Sequence, residues 1–124
     1  GIPNPEYPDK SDYCKSETAY PTYEMQAHSA PLGLTFAPDT SDLANNLIVA
    51  FHGSWNRTVP TGYKVVRIDT TSENSETVNF ITGWLDENGD IWGRPVGVKY
   101  NEQGELFISD DEAGAIYIMK KVRN

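Results

Sequence analysis

The feature that most constrains the fold of this chain is an internal repeat. The segment PLGLTF, which begins at Pro31, returns as PVGVKY at Pro95; LIVAFHG then returns as LFISDD, and GYKVVRI returns as GAIYIMK. The three pairs keep their order along the chain. A sequence that repeats in this way predicts two copies of one small structural unit packed side by side.

Each copy consists of short runs of β-branched and aromatic residues separated by turn-forming residues, a pattern typical of β-strands. Short strands joined by tight turns pair as antiparallel meanders, with four strands in the first copy and three in the second. This arrangement predicts an all-β chain of antiparallel four-stranded meanders, about two blades of a β-propeller, with the second blade lacking its outer strand. The predicted strands are 32–36, 47–51, 63–68, 77–82, 96–100, 105–109 and 115–120.

The chain divides around this repeat. Residues 1–30 are rich in Pro, Tyr and polar residues and show neither the two-residue nor the 3.6-residue hydrophobic period. We therefore expect an irregular N-terminal segment there, and no amphipathic helix anywhere in the chain. Residues 31–94 are predicted to form the first blade with its linking loop, and residues 95–124 the second, incomplete blade.

Charge and composition limit the partners. The 124 residues carry 10 Lys and Arg against 18 Asp and Glu, a formal net charge of −8, which argues against nucleic acid and anionic membranes as partners. No apolar run approaches the roughly 20 residues of a membrane-spanning helix, so no membrane insertion is expected. Cys14 is the single cysteine, either a free thiol or half of a disulfide whose other half lies outside this chain.

Chemically versatile side chains concentrate at one predicted end of the sheets. Because connections in a meander alternate between two ends, the loops QAHSAP, HGSWNRTVPTG, GWLDENGDIWGRP and DDEAG share one end, which we call the rim (26–31, 52–62, 83–95 and 110–114). The loops of the other end contain no His, Trp or Arg. Binding residues gather in loops on a rigid scaffold, so the rim is the predicted functional face. Its distinctive residues are His28, His52, Trp55, Arg57, Trp84, Trp92 and Arg94.

Two interpretations of the rim arginines are compatible with the sequence. Guanidinium groups hold carboxylates and phosphates through paired hydrogen bonds, so Arg57 and Arg94 indicate a small anionic ligand. Alternatively, the two arginines neutralise acidic neighbours in the same loops. These neighbours are Asp86, Asp90, Asp110 and Asp111.

For the aromatic and imidazole side chains of the rim, the sequence likewise allows both a ligand-binding and a structural interpretation. Trp55 and Trp92 either stack on a flat ligand or fill space between the blades, and filling is the favoured interpretation for Trp84. His28 and His52 either act as an acid, a base or a ligand contact, or are structural residues.

The sequence predicts no metal site and no catalytic residue of its own. In DENGDIWG, Asp86, Asn88 and Asp90 alternate as in a calcium loop, but Ile91 stands where such a loop needs glycine and no acid closes it. A Gly-x-Ser-x-Gly elbow, a phosphate loop and a Cys/His metal motif are also missing from the sequence.

Three collinear stretches resemble the C-terminal part of the soluble PQQ-dependent sugar dehydrogenases, in particular their L-sorbosone dehydrogenase-like branch. They are AHSAPLGLTF, NNLIVAFHGSWNRTVPTGYKVVRI and DIWGRPVGVKYNEQGELFISDDEAGAIYIM, and the resemblance runs from about Ala27 to Met119. It implies a quinoprotein with a six-bladed propeller that binds pyrroloquinoline quinone (PQQ) and oxidises sugars or related alcohols and aldehydes. It also implies a periplasmic or extracellular location.

The resemblance further implies roles for individual rim residues. Arg94, in GRPVG, looks like an arginine that holds the cofactor, and the HGSWNR loop offers a second cationic contact, assigned to Arg57 with His52 beside it. The flat quinone with three carboxylates suits the neighbouring Trp55 and Trp92 as well. The glucose dehydrogenase branch uses a lysine at the second contact, and this loop contains none.

Other parts of the implied enzyme lie outside this chain. The catalytic histidine and the calcium ligands of the family belong to earlier blades, so the chain is expected to supply cofactor contacts and pocket wall and to be inactive or nearly so alone. Two blades cannot close a ring of six, so we expect either the missing blades of a longer chain or a homo-oligomer of three copies. The alternative function is a non-catalytic carbohydrate-binding module of propeller-like shape.

Overall fold

The structure, a computed structural model, describes residues 1–73 and 75–121 and contains two antiparallel sheets. The first sheet has the order β1-β2-β3-β4 and the second the order β5-β6-β7. Each strand lies within one residue of its predicted ends, so the all-β class and the meanders of four and three strands are confirmed. The strands are β1 (Pro31–Phe36), β2 (Asn46–Phe51), β3 (Lys64–Asp69), β4 (Val78–Ile81), β5 (Pro95–Tyr100), β6 (Leu106–Asp110) and β7 (Ala115–Met119).

The two copies of the internal repeat share a register shift between their first two strands. The register of β1 against β2 shifts between Pro31 and Leu34, and that of β5 against β6 shifts at the corresponding place. Gly33 lies within the first shift, where β1 packs on β5. A Cβ atom on Gly33 would come within 2.5 Å of the Val96 carbonyl oxygen, so the absence of a side chain permits the close approach of these two strands.

One hydrophobic core lies between the two sheets. Trp84, in the connection between β4 and β5, is only 7% exposed and belongs to this core. Its ring meets that of Tyr117 edge-on, with centroids 5.6 Å apart. The prediction that Trp84 fills the space between the two units is confirmed. The other buried members are Ile48, Ala50, Tyr63, Val65, Val98, Leu106 and Ile108.

A second core covers the opposite face of the first sheet. It contains Leu47, Val49, Phe51, Val66 and Ile68, and Tyr23 and Met25 of the N-terminal segment pack against it. All six residues of β2 are buried, which explains why LIVAF (47–51) is a continuous apolar run rather than an alternating one.

The N-terminal segment contains a short helix that the sequence analysis did not predict. A 3-10 turn at Pro8–Lys10 leads into α1 (Ser11–Glu17), so the expectation of an irregular segment is wrong for these residues. The seven residues of α1 bury no side chain, and an apolar stripe is what reveals a helix in a sequence. In the described ranges, no helix has the length and apolar character needed to cross a membrane.

Apolar side chains remain exposed on both outer surfaces of the pair of sheets. Leu34 and Phe36 of β1 are 59% and 62% exposed, on the face that carries the second core. On the far side, Ile116 and Ile118 of the edge strand β7 are also exposed. Both surfaces have the composition of sheet faces that pack against further protein.

Replacing Trp84 with alanine tests the core between the sheets. The Trp84→Ala variant is expected to lose about 3–5 kcal/mol of unfolding free energy, because the substitution leaves a cavity between the two sheets. Trp92→Ala is the matched control: Trp92 is 69% exposed, so a change within about 0.5 kcal/mol is expected. Urea denaturation followed by circular dichroism measures both, and equal losses would contradict the role of Trp84.

Candidate functional site at the rim

The loop between β2 and β3 is closed by its own hydrogen bonds. The Ser54 N–H donates to the Thr61 carbonyl at 2.8 Å, and the Thr61 N–H donates to Ser54 Oγ at 3.0 Å. The closed loop leaves Trp55 88% exposed and Arg57 exposed beside it. Together with His28 of the preceding rim segment, these side chains line an open pocket of about 430 Å³.

Backbone strain concentrates around this loop. Four non-glycine residues of the described chain have a positive φ, and three belong to or adjoin the rim: His28 at 61°, Ala30 at 48° and Tyr63 at 53°. Such conformations cost on the order of 1–3 kcal/mol and cluster at functional sites. These positive φ angles therefore support the rim as the functional face of the chain.

Arg94 connects the second sheet to this loop of the first. It is half-buried and directly precedes β5. Its Nη2 donates to the Ser54 carbonyl and to the Tyr63 hydroxyl, both at 3.2 Å, and its guanidinium carbon lies 5.0 Å from the Tyr63 ring centroid. The structure thus brings Arg94 to the same end of the sheets as Arg57.

Neither rim arginine forms an ion pair with a residue in ranges 1–73 and 75–121. The three ion pairs there are His52–Asp111, Lys120–Glu105 and Lys121–Asp42. Arg94 meets Asp110 only through its backbone N–H. The interpretation that the arginines neutralise neighbouring acids therefore finds no support in the described side-chain contacts.

The structure gives His52 a carboxylate partner that the sequence analysis missed. His52 Nε2 lies 3.0 Å from Asp111 Oδ1, in a contact that joins the ends of the two sheets. The partner was missed because 59 residues separate the pair. One signal was available: in the repeat, LIVAFHG aligns with LFISDD, so His52 and Asp111 occupy equivalent positions after neighbouring central strands.

Asp110 fixes the backbone from which Arg94 extends. It is 3% exposed and accepts the N–H groups of Arg94 and Ala113, each at 2.9 Å, and the Tyr117 hydroxyl at 3.1 Å. Burial favours the neutral acid, but these hydrogen bonds and the Trp84 indole outweigh it and hold the pKa of Asp110 below its ordinary value. From the sequence, Asp110 was indicated only as a possible acidic neighbour of the rim arginines.

The DENGD segment forms a turn that uses its own carboxylate. Asp86 Oδ1 accepts the N–H groups of Asn88 and Asp90 at 2.9 Å, and these backbone hydrogen bonds, that from Asp90 foremost, lower the pKa of Asp86 against a smaller opposing effect of desolvation. Among the residues that the structure describes, no cluster of three or more potential metal ligands occurs.

Trp92 lines a different groove from Trp55 and Arg57. It lines an apolar groove of about 440 Å³ together with Trp84, Tyr117 and Ile118, and it is not among the residues around the pocket of Trp55 and Arg57. A larger cleft of about 710 Å³ lies at the opposite end of the sheets, between turn residues such as Pro38 and Gln103, away from the rim.

The pH dependence of stability tests the role of Asp110. Since its pKa is lowered in the folded chain, its ionised form stabilises the fold above about pH 4, and this contribution is lost as the pH falls through the folded-state pKa. The loss of unfolding free energy in Asp110→Asn should therefore be largest near neutral pH and shrink in acid. Glu112→Gln, at an exposed acid nearby, is the control; a pH-independent effect of Asp110→Asn would contradict the assignment.

Comparison with known proteins relates the chain to PQQ-dependent enzymes. The sequence model of the TrAA12-like family matches residues 3–122. An uncharacterized protein of Borreliella burgdorferi is 37% identical over 101 residues, which covers 77% of this chain and 27% of the relative. The pyrroloquinoline quinone-dependent pyranose dehydrogenase of Coprinopsis cinerea is 32% identical over 131 aligned positions, covering 89% of this chain and 18% of that enzyme.

Solved structures agree with this relationship. The holo form of the PQQ domain of the Coprinopsis cinerea pyranose dehydrogenase matches with a TM-score of 0.72 and 30% identity, over 90% of this chain and 31% of that domain. A calcium structure of a Trichoderma reesei enzyme of carbohydrate-active family AA12 matches with a TM-score of 0.67 and 26% identity, over 87% and 28% of the two chains. The chain spans less than a third of the length of these relatives.

The predicted relationship to PQQ-dependent enzymes is thus confirmed at the level of the family, while the sorbosone dehydrogenase-like branch is not shown by these relatives. A match over nearly the whole described chain leads to one assignment: this chain belongs to the TrAA12-like family, which is related to PQQ-dependent pyranose dehydrogenase.

Proposed function

We propose that this chain is part of the PQQ-binding domain of an oxidoreductase that acts on sugars or related alcohols and aldehydes. In this proposal the rim supplies cofactor contacts and pocket wall. One observation carries it: the Arg94 guanidinium is held at the rim by two neutral oxygens and has no ion pair in the described part of the chain.

The rim fits the chemistry of the quinone. PQQ is flat and carries three carboxylates, which suit guanidinium donors and aromatic faces. The guanidinium of Arg94 has five N–H donors, and both recorded hydrogen bonds come from Nη2, so donors on Nε and Nη1 are available to a ligand. Arg57 and the exposed ring of Trp55 line a pocket with Ser54, the residue whose carbonyl accepts a hydrogen bond from Arg94.

The proposal gives each rim side chain a task. Arg94 binds one carboxylate of the quinone, and Arg57 a second. Trp55 offers a face for stacking, and His52, oriented by Asp111, contributes a neighbouring polar contact. Trp92 is given no cofactor contact, because it lies in a separate groove.

Bound PQQ supplies the acceptor for the hydride removed from the substrate. The base that takes the substrate proton and the calcium ligands are assigned to parts of the enzyme outside this chain. The residues described above therefore bind and orient the cofactor, and none is proposed as catalytic.

The proposal extends to assembly and location. The two sheets are neighbouring blades of a six-bladed propeller, and the exposed apolar faces at Leu34, Phe36, Ile116 and Ile118 pack against further blades. These blades come from the rest of a longer chain or from copies of this one, three of which would complete a ring. The sorbosone dehydrogenase-like branch and a periplasmic or extracellular location are proposed from the sequence resemblance.

A PQQ titration in the presence of calcium tests the cofactor site. Arg94→Ala is expected to weaken binding about 10- to 100-fold, because it removes charged hydrogen bonds of roughly 1.5–3 kcal/mol. Arg67→Ala is the matched control: Arg67 bonds Asn46 at the opposite end of the sheets, so its loss should leave the affinity unchanged. Quenching of tryptophan fluorescence measures the dissociation constant.

Two outcomes contradict the proposal. One is equal PQQ affinity of the wild-type chain and Arg94→Ala. The other is saturable binding of sugars on a glycan array without any response to PQQ, which would support the alternative of a carbohydrate-binding module.

A further inference from the structure

We infer that Tyr63 is a positioning residue that holds the guanidinium of Arg94 in the orientation needed to bind a carboxylate of the quinone. The inference rests on the proposed function for the identity of the ligand. The contact between Tyr63 and Arg94 is present in the structure without any ligand. Tyr63 precedes β3 in the first sheet, and Arg94 precedes β5 in the second.

The two side chains share a closed set of polar contacts. The Tyr63 hydroxyl donates to the Ser54 carbonyl and accepts a hydrogen bond from Nη2 of Arg94. The same Nη2 donates to the Ser54 carbonyl. One edge of the guanidinium is thus fixed by two oxygens that do not neutralise its charge.

The ring of Tyr63 restrains the guanidinium in a second direction. The guanidinium carbon of Arg94 lies 5.0 Å from the ring centroid, within the range of a cation–π contact. Tyr63 is 2% exposed, so the ring is a fixed surface rather than a mobile one. An arginine side chain that is already ordered loses less conformational entropy when it binds a ligand.

The backbone around Tyr63 is shaped to place this ring. Its φ of 53° is unusual for a bulky residue, and it follows Gly62, whose φ is 90°. A Cβ atom on Gly53 would lie 2.6 Å from three atoms of the Tyr63 ring, and one on Gly62 would lie 2.7 Å from the Gly53 Cα. Glycine at position 53 thus makes room for the ring under Arg94, and glycine at position 62 lets the two ends of the loop approach each other.

The wild-type chain provides the first test, without any substitution or cofactor. In side-chain ¹⁵N NMR spectra, the Nη signals of Arg94 should be resolved by slow rotation of the guanidinium, whereas those of the exposed Arg57 should be averaged. Averaged Arg94 signals would overturn the inference.

The second test removes only the hydroxyl. Tyr63→Phe keeps the ring and its packing, so the melting temperature should change by no more than a few degrees while the Arg94 signals become averaged and the PQQ dissociation constant rises about three- to tenfold. Tyr100→Phe, at the opposite end of β5, is the matched control. It should change neither the Arg94 signals nor the PQQ dissociation constant.

A double-mutant cycle separates positioning from general destabilisation. Adding Tyr63→Phe to Arg94→Ala should not weaken PQQ binding further, because Tyr63 acts through Arg94. If the two losses add, or if Tyr63→Phe binds PQQ as the wild type does while Arg94→Ala does not, the inference about Tyr63 is wrong and the proposed function stands. If Arg94→Ala itself binds PQQ normally, the proposed function fails, and the assignment of Tyr63 to the cofactor fails with it.

Discussion

The packing of the second sheet against the first is the interaction on which the rest of the structure depends. Gly33 lets β1 approach the backbone of β5, and Trp84 fills the core between the sheets. Burial of apolar surface supplies most of the free energy for such an interface. The polar contacts that cross between the sheets at the rim are worth about 1 kcal/mol each, so they depend on this packing rather than cause it.

The packed sheets also explain how an acidic chain presents Arg57 and Arg94 without an ion pair to any described residue. Of the two acids that end β6 and begin the next turn, Asp110 is buried and accepts backbone N–H groups, and Asp111 pairs with His52. Both carboxylates are engaged by donors other than a guanidinium. Among the described residues, the guanidinium of Arg94 is bonded only to neutral oxygens and lies against an aromatic face, which preserves its attraction for an anionic ligand.

The sequence predicted correctly the features that local residue patterns determine, and it did not predict the features that such patterns leave open. The strands were predictable, because runs of β-branched residues and turn residues are local patterns, and the burial favoured for Trp84 is confirmed. The helix α1 was not predictable, since it buries nothing and has no apolar stripe. The position of Trp92 in a separate groove was not predictable either, because a shared loop does not determine which pocket a side chain lines.

By itself, the sequence determined the strand content, the two-copy arrangement and the gathering of His, Trp and Arg at one end, because periodicity and the alternation of loops require no knowledge of long-range contacts. Only the tertiary structure decided the partners at that end. His52 and Asp111 are 59 residues apart, and Tyr63 and Arg94 are 31 apart, on different sheets. Such pairs are set by how two sheets pack, and packing is a property of the whole core rather than of any local segment.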